Sequence, residues 1–442
     1  MNFFWLHHSF YVLSLWALLL TMGCGGKNGG GSREVREQKA VALVDNLIAG
    51  KYADARADFN LLMSVGLSET KLKQVWAALP EQFGEFEERT GIEHTVHQGY
   101  NVVFVGLRFA KSNLRAKVVY SGSDKVTGLF FLPSNPPWQI PAYVRTNSFT
   151  ETDITFGLPD WKLEGTLTLP KEVAAPPVAV LVHGSGPHDR DETIGPNQVF
   201  KDLAWGLASK GVAVFRYDKR TKIHGGKLAR AKRFTMKEET VDDAVAAVKT
   251  LRDRKDLAGG RIYVIGHSQG GYCAPRIAQQ VPIAGFVSLA GNSRPLEELI
   301  VEQTEYLMKI NPAQTRDLKA MKLAAEQVKK LDASDAQSRK VLLGAPMSYW
   351  FDLRNYDPVA RAQEFKGRIF VIHGGRDYQV TQPDFHRWTN GLASHPDLHA
   401  RSFTNLNHLM ISGTGMSEPA EYQRAGHVDD HVIEAIAGWI KK

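Results

Sequence analysis

The residues Gly266-His267-Ser268-Gln269-Gly270-Gly271 place a hydroxyl between glycines, after the apolar run Arg261 to Ile265 and ahead of a helical stretch. Glycines on both sides of a serine permit a tight strand-to-helix turn, which lifts the hydroxyl out at the top of a sheet. Ser268 is therefore the candidate nucleophile. A serine hydroxyl is weak at neutral pH. It needs a base to take its proton, an acidic side chain to orient that base, and two N–H donors for the oxyanion formed on attack.

Chain order narrows the choice among 15 histidines. With a serine elbow of this kind the acid follows the nucleophile and the histidine follows the acid. His408, in Asn405-Leu406-Asn407-His408-Leu409, follows a strand near Ala400 to Phe403 and precedes the final helix. His427 and His431 stand at the start of that helix, where a capping or solvated histidine is the simpler reading. The run Arg368 to Ile372, then His373-Gly374-Gly375-Arg376-Asp377, gives a strand, a glycine turn and a carboxylate, so Asp377 is the expected acid. Asp352 and Asp357 belong to the exit of a helical insert rather than to a strand end. After Val178 to Val182 comes His183-Gly184-Ser185-Gly186-Pro187, a turn suited to present the Ser185 N–H beside that of Gln269 as the oxyanion hole. His183 precedes the nucleophile and reads as support for this turn.

The elements needed to position these groups are legible as a pattern. Leu163 to Leu169 alternates like a strand, and Val178–Val182, Val212–Phe215, Arg261–Ile265, Phe286–Leu289 and Arg368–Ile372 are short apolar runs of buried parallel strands. Helices are expected near Phe200–Ala208, Glu239–Arg252, Gly270–Gln279, Gln382–Leu392 and Val428–Ile440. Strand and helix alternate, which describes a doubly wound, mostly parallel α/β sheet over residues 151–442. Residues 294–356 interrupt the rhythm and read as a helical cap over the strands' carboxyl ends, where ligands bind in such sheets.

Taken together, His183-Gly184-Ser185-Gly186, Arg216-Tyr217-Asp218-Lys219-Arg220, Gly266-His267-Ser268-Gln269-Gly270, Gly374-Gly375-Arg376-Asp377 and Asn407-His408 resemble the bacterial α/β-hydrolase family of carboxylesterases related to the serine aminopeptidase and dienelactone hydrolase groups. The resemblance covers about residues 150–442. It implies hydrolysis of small carboxylic esters by a Ser268–His408–Asp377 triad through an acyl-enzyme, with no metal or cofactor. An exopeptidase or amidase with the same triad, and an acyltransferase, stay open.

Residues 33–86 carry apolar positions at three-and-four spacing and read as three short helices. The period then changes to two, with strands Tyr100–Leu107, Ala116–Tyr120 and Val126–Leu132 and a hairpin turn at Gly122-Ser123-Asp124-Lys125. This small α+β module, residues 34–132, resembles the cystatin-like or nuclear-transport-factor-like domains that precede hydrolase domains in exported bacterial proteins. It leaves a further alternative open, an envelope-tethered binding protein whose hydrolase is secondary. The proline-rich segment within 133–150 is the expected linker.

The 442 residues are 43% apolar and 23% charged, as in an ordinary folded protein. Net charge is +7. Lys219 to Lys237 holds eight Lys or Arg and no acid, leaving 7 − 8 = −1 elsewhere, so the basicity sits in one loop, which reads as solvated, and nucleic acid is not an expected partner. His188-Asp189-Arg190-Asp191 is expected to form salt bridges with Arg190 or Arg216 rather than bind metal. Phe10 to Met22 is apolar but short for a membrane span, the shape of an export signal over residues 1–24. Leu20-Thr21-Met22-Gly23-Cys24 resembles a lipoprotein box, and the glycine-rich segment 25–33 suits a tether. The expectation is an exported cell-envelope protein, lipid-anchored through Cys24 or else released after cleavage.

Overall fold

The computed structural model describes residues 32–97, 100–134, 138–231, 234–312, 317–338 and 340–442. The expected leader, Cys24 and most of the 25–33 linker lie outside the described residues. Among the described residues no helix is long and apolar enough to cross a membrane. The chain divides after residue 136 into two compact units.

The first unit opens with helices Arg33–Ile48, Tyr52–Ala55, Leu61–Gly66 and Glu69–Phe83, one more than the periodicity predicts. Ser32, Asn60 and Ser68 accept N–H bonds from the first turns of three of them, satisfying donors that a helix start leaves open. An antiparallel meander follows, β1 (Phe86–His97), β2 (Tyr100–Phe109), β3 (Ser112–Tyr120) and β4 (Val126–Pro133). Val103, Val105, Leu107 and Leu114 from the sheet close a core with Leu43, Val44, Leu47 and Trp76 from the helices. The expected hairpin turn joins β3 to β4, with Asp124 at φ 54°. Strand β1 is absent from the sequence expectation.

The second unit is an eight-stranded sheet. Its strands are β5 (Phe149–Leu158), β6 (Trp161–Pro170), β7 (Val178–Val182), β8 (Ala213–Tyr217), β9 (Ile262–His267), β10 (Gly285–Leu289), β11 (Arg368–Gly374) and β12 (Leu398–Phe403), in spatial order β12-β11-β10-β9-β7-β8-β6-β5. From β7 to β12 neighbouring strands are parallel, while β6 and β5 continue the sheet antiparallel. Alternation splits each apolar strand between two cores. Val178, Val180 and Val182 enter one with helices Asp242–Arg252 and Gln269–Ala278, while Ala179 and Leu181 enter the other with helices Val199–Ser209 and Asp430–Lys441. The sheet is covered on both faces, which is why its central strands are uniformly apolar.

The chain leaves β7 for β8 on one side and returns to β9 on the other. That reversal makes the carboxyl ends of β7 and β9 the topological switch point, where a crevice opens in doubly wound sheets. Between β10 and β11 run helices Leu296–Ile310, Leu318–Lys329 and Met347–Arg354, within the insert expected over residues 294–356, and a further helix, Pro358–Glu364, beyond its expected end.

Candidate active site

Because β7 to β12 run parallel, every loop that leaves one of their carboxyl ends emerges at the same edge. Ser268 follows β9, Ser185 follows β7, Asp377 follows β11 and His408 follows β12. Topology alone thus gathers residues up to 408 − 185 = 223 positions apart.

Ser268 adopts φ 52° and ψ −118°, a backbone conformation that costs a non-glycine residue about 1–3 kcal/mol. The surrounding packing imposes it. Its N–H donates to the Leu289 carbonyl at 2.9 Å. A Cβ on Gly266 would lie 2.2 Å from the Gly270 carbonyl, and one on Gly270 would lie 2.0 Å from the Val182 carbonyl, so only glycine permits so close a strand-helix approach.

His408 and Asp377 meet directly. The His408 Nδ1–H donates to Asp377 Oδ2 at 2.7 Å, with both side chains almost wholly buried. The other carboxylate oxygen accepts the Gln379 and Val380 N–H groups at 2.8 and 3.0 Å, which fixes its rotation. Asn407 shapes the histidine loop by accepting the Leu409 and Ile411 N–H groups through Oδ1. Ser268 shares this edge, since the neighbouring His267 donates from Nε2 to the His408 carbonyl at 3.0 Å. The Ser268 hydroxyl and the His408 ring are not themselves hydrogen-bonded to each other. Such bonds commonly tighten only when substrate arrives.

The rival candidates are engaged elsewhere. His427 faces Asp202 at 3.2 Å, and His431 faces Asp429 on the surface. Asp352 pairs with Arg276, while Asp357 caps helix Pro358–Glu364 and pairs with Arg387. Asp191 and Arg216 form the expected salt bridge at 2.7 Å, and Arg190 turns to Asp218 and Asp153. Among the described residues no group of three or more His, Cys, Asp or Glu is placed to hold a metal ion.

The turn after β7 lies against the serine, for a Cβ on Gly184 would stand 3.2 Å from Ser268 Cβ. Among the described residues neither the Ser185 nor the Gln269 N–H meets an acceptor within the protein. Two features of this turn escape a reading of the sequence. Glu192, fully buried and at φ 47°, accepts the Gly184 N–H at 2.7 Å and faces His267 Nδ1 at 2.9 Å. Burial works against both charges, but their attraction prevails: Glu192 is drawn down to about 2 and His267 is raised above the ordinary histidine value. The second is Lys219. The segment 219–237 is not simply the solvated loop its composition suggests. Lys219 is buried against Glu239, and Arg220 is buried against Asp243.

His183 supports the turn by donating from Nε2 to the Asp189 carbonyl at 3.0 Å. Burial pushes its imidazole down to about 3, so the folded ring stays neutral across the range where an unfolded histidine takes up a proton near pH 6.5. The unfolded chain therefore binds the extra proton, and stability falls as pH drops from 6.5 towards 3. Urea unfolding at pH 7.5 and 5.0 is expected to show a loss that His183→Gln reduces by about 2 kcal/mol. An equal loss in both proteins would mean the ring is charged when folded.

A doubly wound sheet with a strained serine elbow at its switch point defines an α/β hydrolase. Residues 177–414 match the family described as serine aminopeptidase, S33, and the chain belongs to that family. Residues 40–129 match a family described as a protein of unknown function, DUF3887. The chain is 38% identical over 408 residues to esterase EstD of Thermotoga maritima, covering 92% of this chain and 95% of that protein. Solved structures that resemble it include a Pyrococcus furiosus esterase (19% identity, 62% of this chain and 90% of that one, TM-score 0.40). Est1E from Butyrivibrio proteoclasticus is another (17%, 66% and 99%, TM-score 0.42), and a puromycin hydrolase a third (17%, 81% and 47%, TM-score 0.45).

Proposed function

We propose that this hydrolase is a serine esterase acting through Ser268, His408 and Asp377. The observation that carries the reading is the 2.7 Å Asp377–His408 hydrogen bond, formed at the sheet edge where the strained Ser268 stands. In the proposed cycle His408 Nε2 takes the Ser268 proton as Oγ attacks the ester carbonyl. The Ser185 and Gln269 amides receive the oxyanion. His408 then gives its proton to the departing alkoxide, leaving an acyl-enzyme. Water, deprotonated by the same imidazole, attacks that ester and frees the acid and Ser268. The esterase name of the Thermotoga relative, at 38% identity over most of both chains, supports ester substrates.

The family description favours a second reading, an aminopeptidase with the same residues. Matched p-nitrophenyl esters and aminoacyl p-nitroanilides separate the two. The esterase reading expects kcat/KM for the ester to exceed that for the anilide by about 10²-fold or more, together with fluorophosphonate labelling at Ser268. The reverse preference would make the enzyme a peptidase. Export and anchoring through Cys24 are proposed on the sequence of residues 1–24 alone.

A further inference from the structure

The Gly184 carbonyl and the Ser185 N–H belong to one peptide group. A trans peptide is planar and its C=O and N–H point in opposite directions, so whatever holds the oxygen sets the aim of the hydrogen. The Lys219 ammonium donates to the Gly184 oxygen at 2.7 Å. The same ammonium pairs with Glu239 Oε1 at 2.8 Å, with both side chains buried. The other carboxylate oxygen of Glu239 accepts the Tyr349 hydroxyl at 2.7 Å, from helix Met347–Arg354 of the insert. The Gln269 side-chain amide donates to that hydroxyl at 3.4 Å, so both donor-bearing residues touch one network. On its other side Gly184 gives its N–H to Glu192 at 2.7 Å.

Resting on the esterase reading, we propose that Lys219 is a positioning residue of the oxyanion hole. Its ammonium, balanced by Glu239, aims the Ser185 N–H at the developing oxyanion, and Tyr349 ties that aim to the helical insert. A lone buried charge is costly, which explains why the lysine carries its own counter-ion instead of acting alone. A neutral donor would satisfy the carbonyl equally well by count. The charged donor holds it harder, because hydrogen bonds to ionised groups are about twice as strong.

The test compares wild type, Lys219→Met, the charge-neutral double variant Lys219→Met/Glu239→Gln, and Tyr349→Phe, which keeps both charges and secures the measurement if removal of Lys219 prevents folding. With p-nitrophenyl butyrate, the Lys219 variants are expected to lose about 10- to 100-fold in kcat, less than deletion of a donor outright. KM should stay within about threefold. Affinity for an alkylboronic acid, which forms a tetrahedral adduct on Ser268, should fall by the same factor as kcat. Tyr349→Phe should lose about threefold in kcat at unchanged KM. Turnover within about twofold of wild type in the folded double variant and in Tyr349→Phe, or a loss confined to KM, would overturn the proposal. So would a fall in kcat with unchanged boronate affinity. Ser268→Ala is assayed alongside. If it turns over ester normally, the triad reading fails. If it is inactive while the Lys219 and Tyr349 variants are unimpaired, only the role of Lys219 fails.

Discussion

Exchange of Ser268 for Ala is expected to lower kcat for a small p-nitrophenyl ester about 10⁶-fold. The hydroxyl is the only group removed, and alanine inherits the same backbone strain at φ 52°, so the melting temperature should move by no more than about 5 °C. What activity survives would come from the oxyanion donors polarising the ester towards water, about 10³- to 10⁴-fold over the uncatalysed reaction. Stopped and steady-state assays on the purified variant decide the point. Turnover within about tenfold of wild type would place the nucleophile elsewhere.

Asp377→Asn carries the second large effect, about 10⁴-fold in kcat, and the contacts say why. One carboxylate oxygen accepts two backbone N–H groups, and the other accepts His408 Nδ1–H at 2.7 Å. An asparagine keeps its oxygen towards the two backbone donors, because turning its NH₂ there would set donor against donor. The NH₂ must then face His408 Nδ1, which can accept it only by giving up its own proton. The proton moves to Nε2, the nitrogen that has to receive the Ser268 proton, and the base is lost although nothing in the packing has changed. KM should stay within about threefold. Loss of only a few fold in kcat would remove Asp377 from the triad.

The strands that bury both faces were legible because burial dictates composition. Val178–Val182 and Ile262–Ile265 are apolar at every position since each residue enters one of two cores. The two strands that escape notice are edge strands, β1 and β5. Phe86–His97 and Phe149–Leu158 hold Glu, Arg, Asp or Thr at half of their positions, as a strand with an unpaired margin and a solvated face tolerates and often requires.

Among the candidate site residues, Ser268 was legible because an elbow demands glycines at fixed spacing, and Asp377 and His408 because chain order leaves few loops after the last strands. Lys219 and Glu192 were not, for their importance lies in partners that sequence does not announce: Glu239 twenty residues on, and His267 seventy-five. Lys219 did offer one signal. It stands two residues past the end of β8, at the same sheet edge as the loops that carry Ser268, Asp377 and His408. Composition averaged it into a basic run, whereas its position singled it out.

In the proposed cycle Ser268 Oγ carries the acyl group. Mixing the enzyme with excess p-nitrophenyl acetate, quenching in acid within the first turnovers and weighing the proteolytic peptides tests it most directly. A gain of one acetyl group, about 42 Da, is expected on the peptide that contains Ser268, appearing with the burst of p-nitrophenol and absent from Ser268→Ala. Continued turnover with the Ser268 peptide unmodified, or with the acetyl group accumulating on another side chain at the rate of the burst, would contradict it.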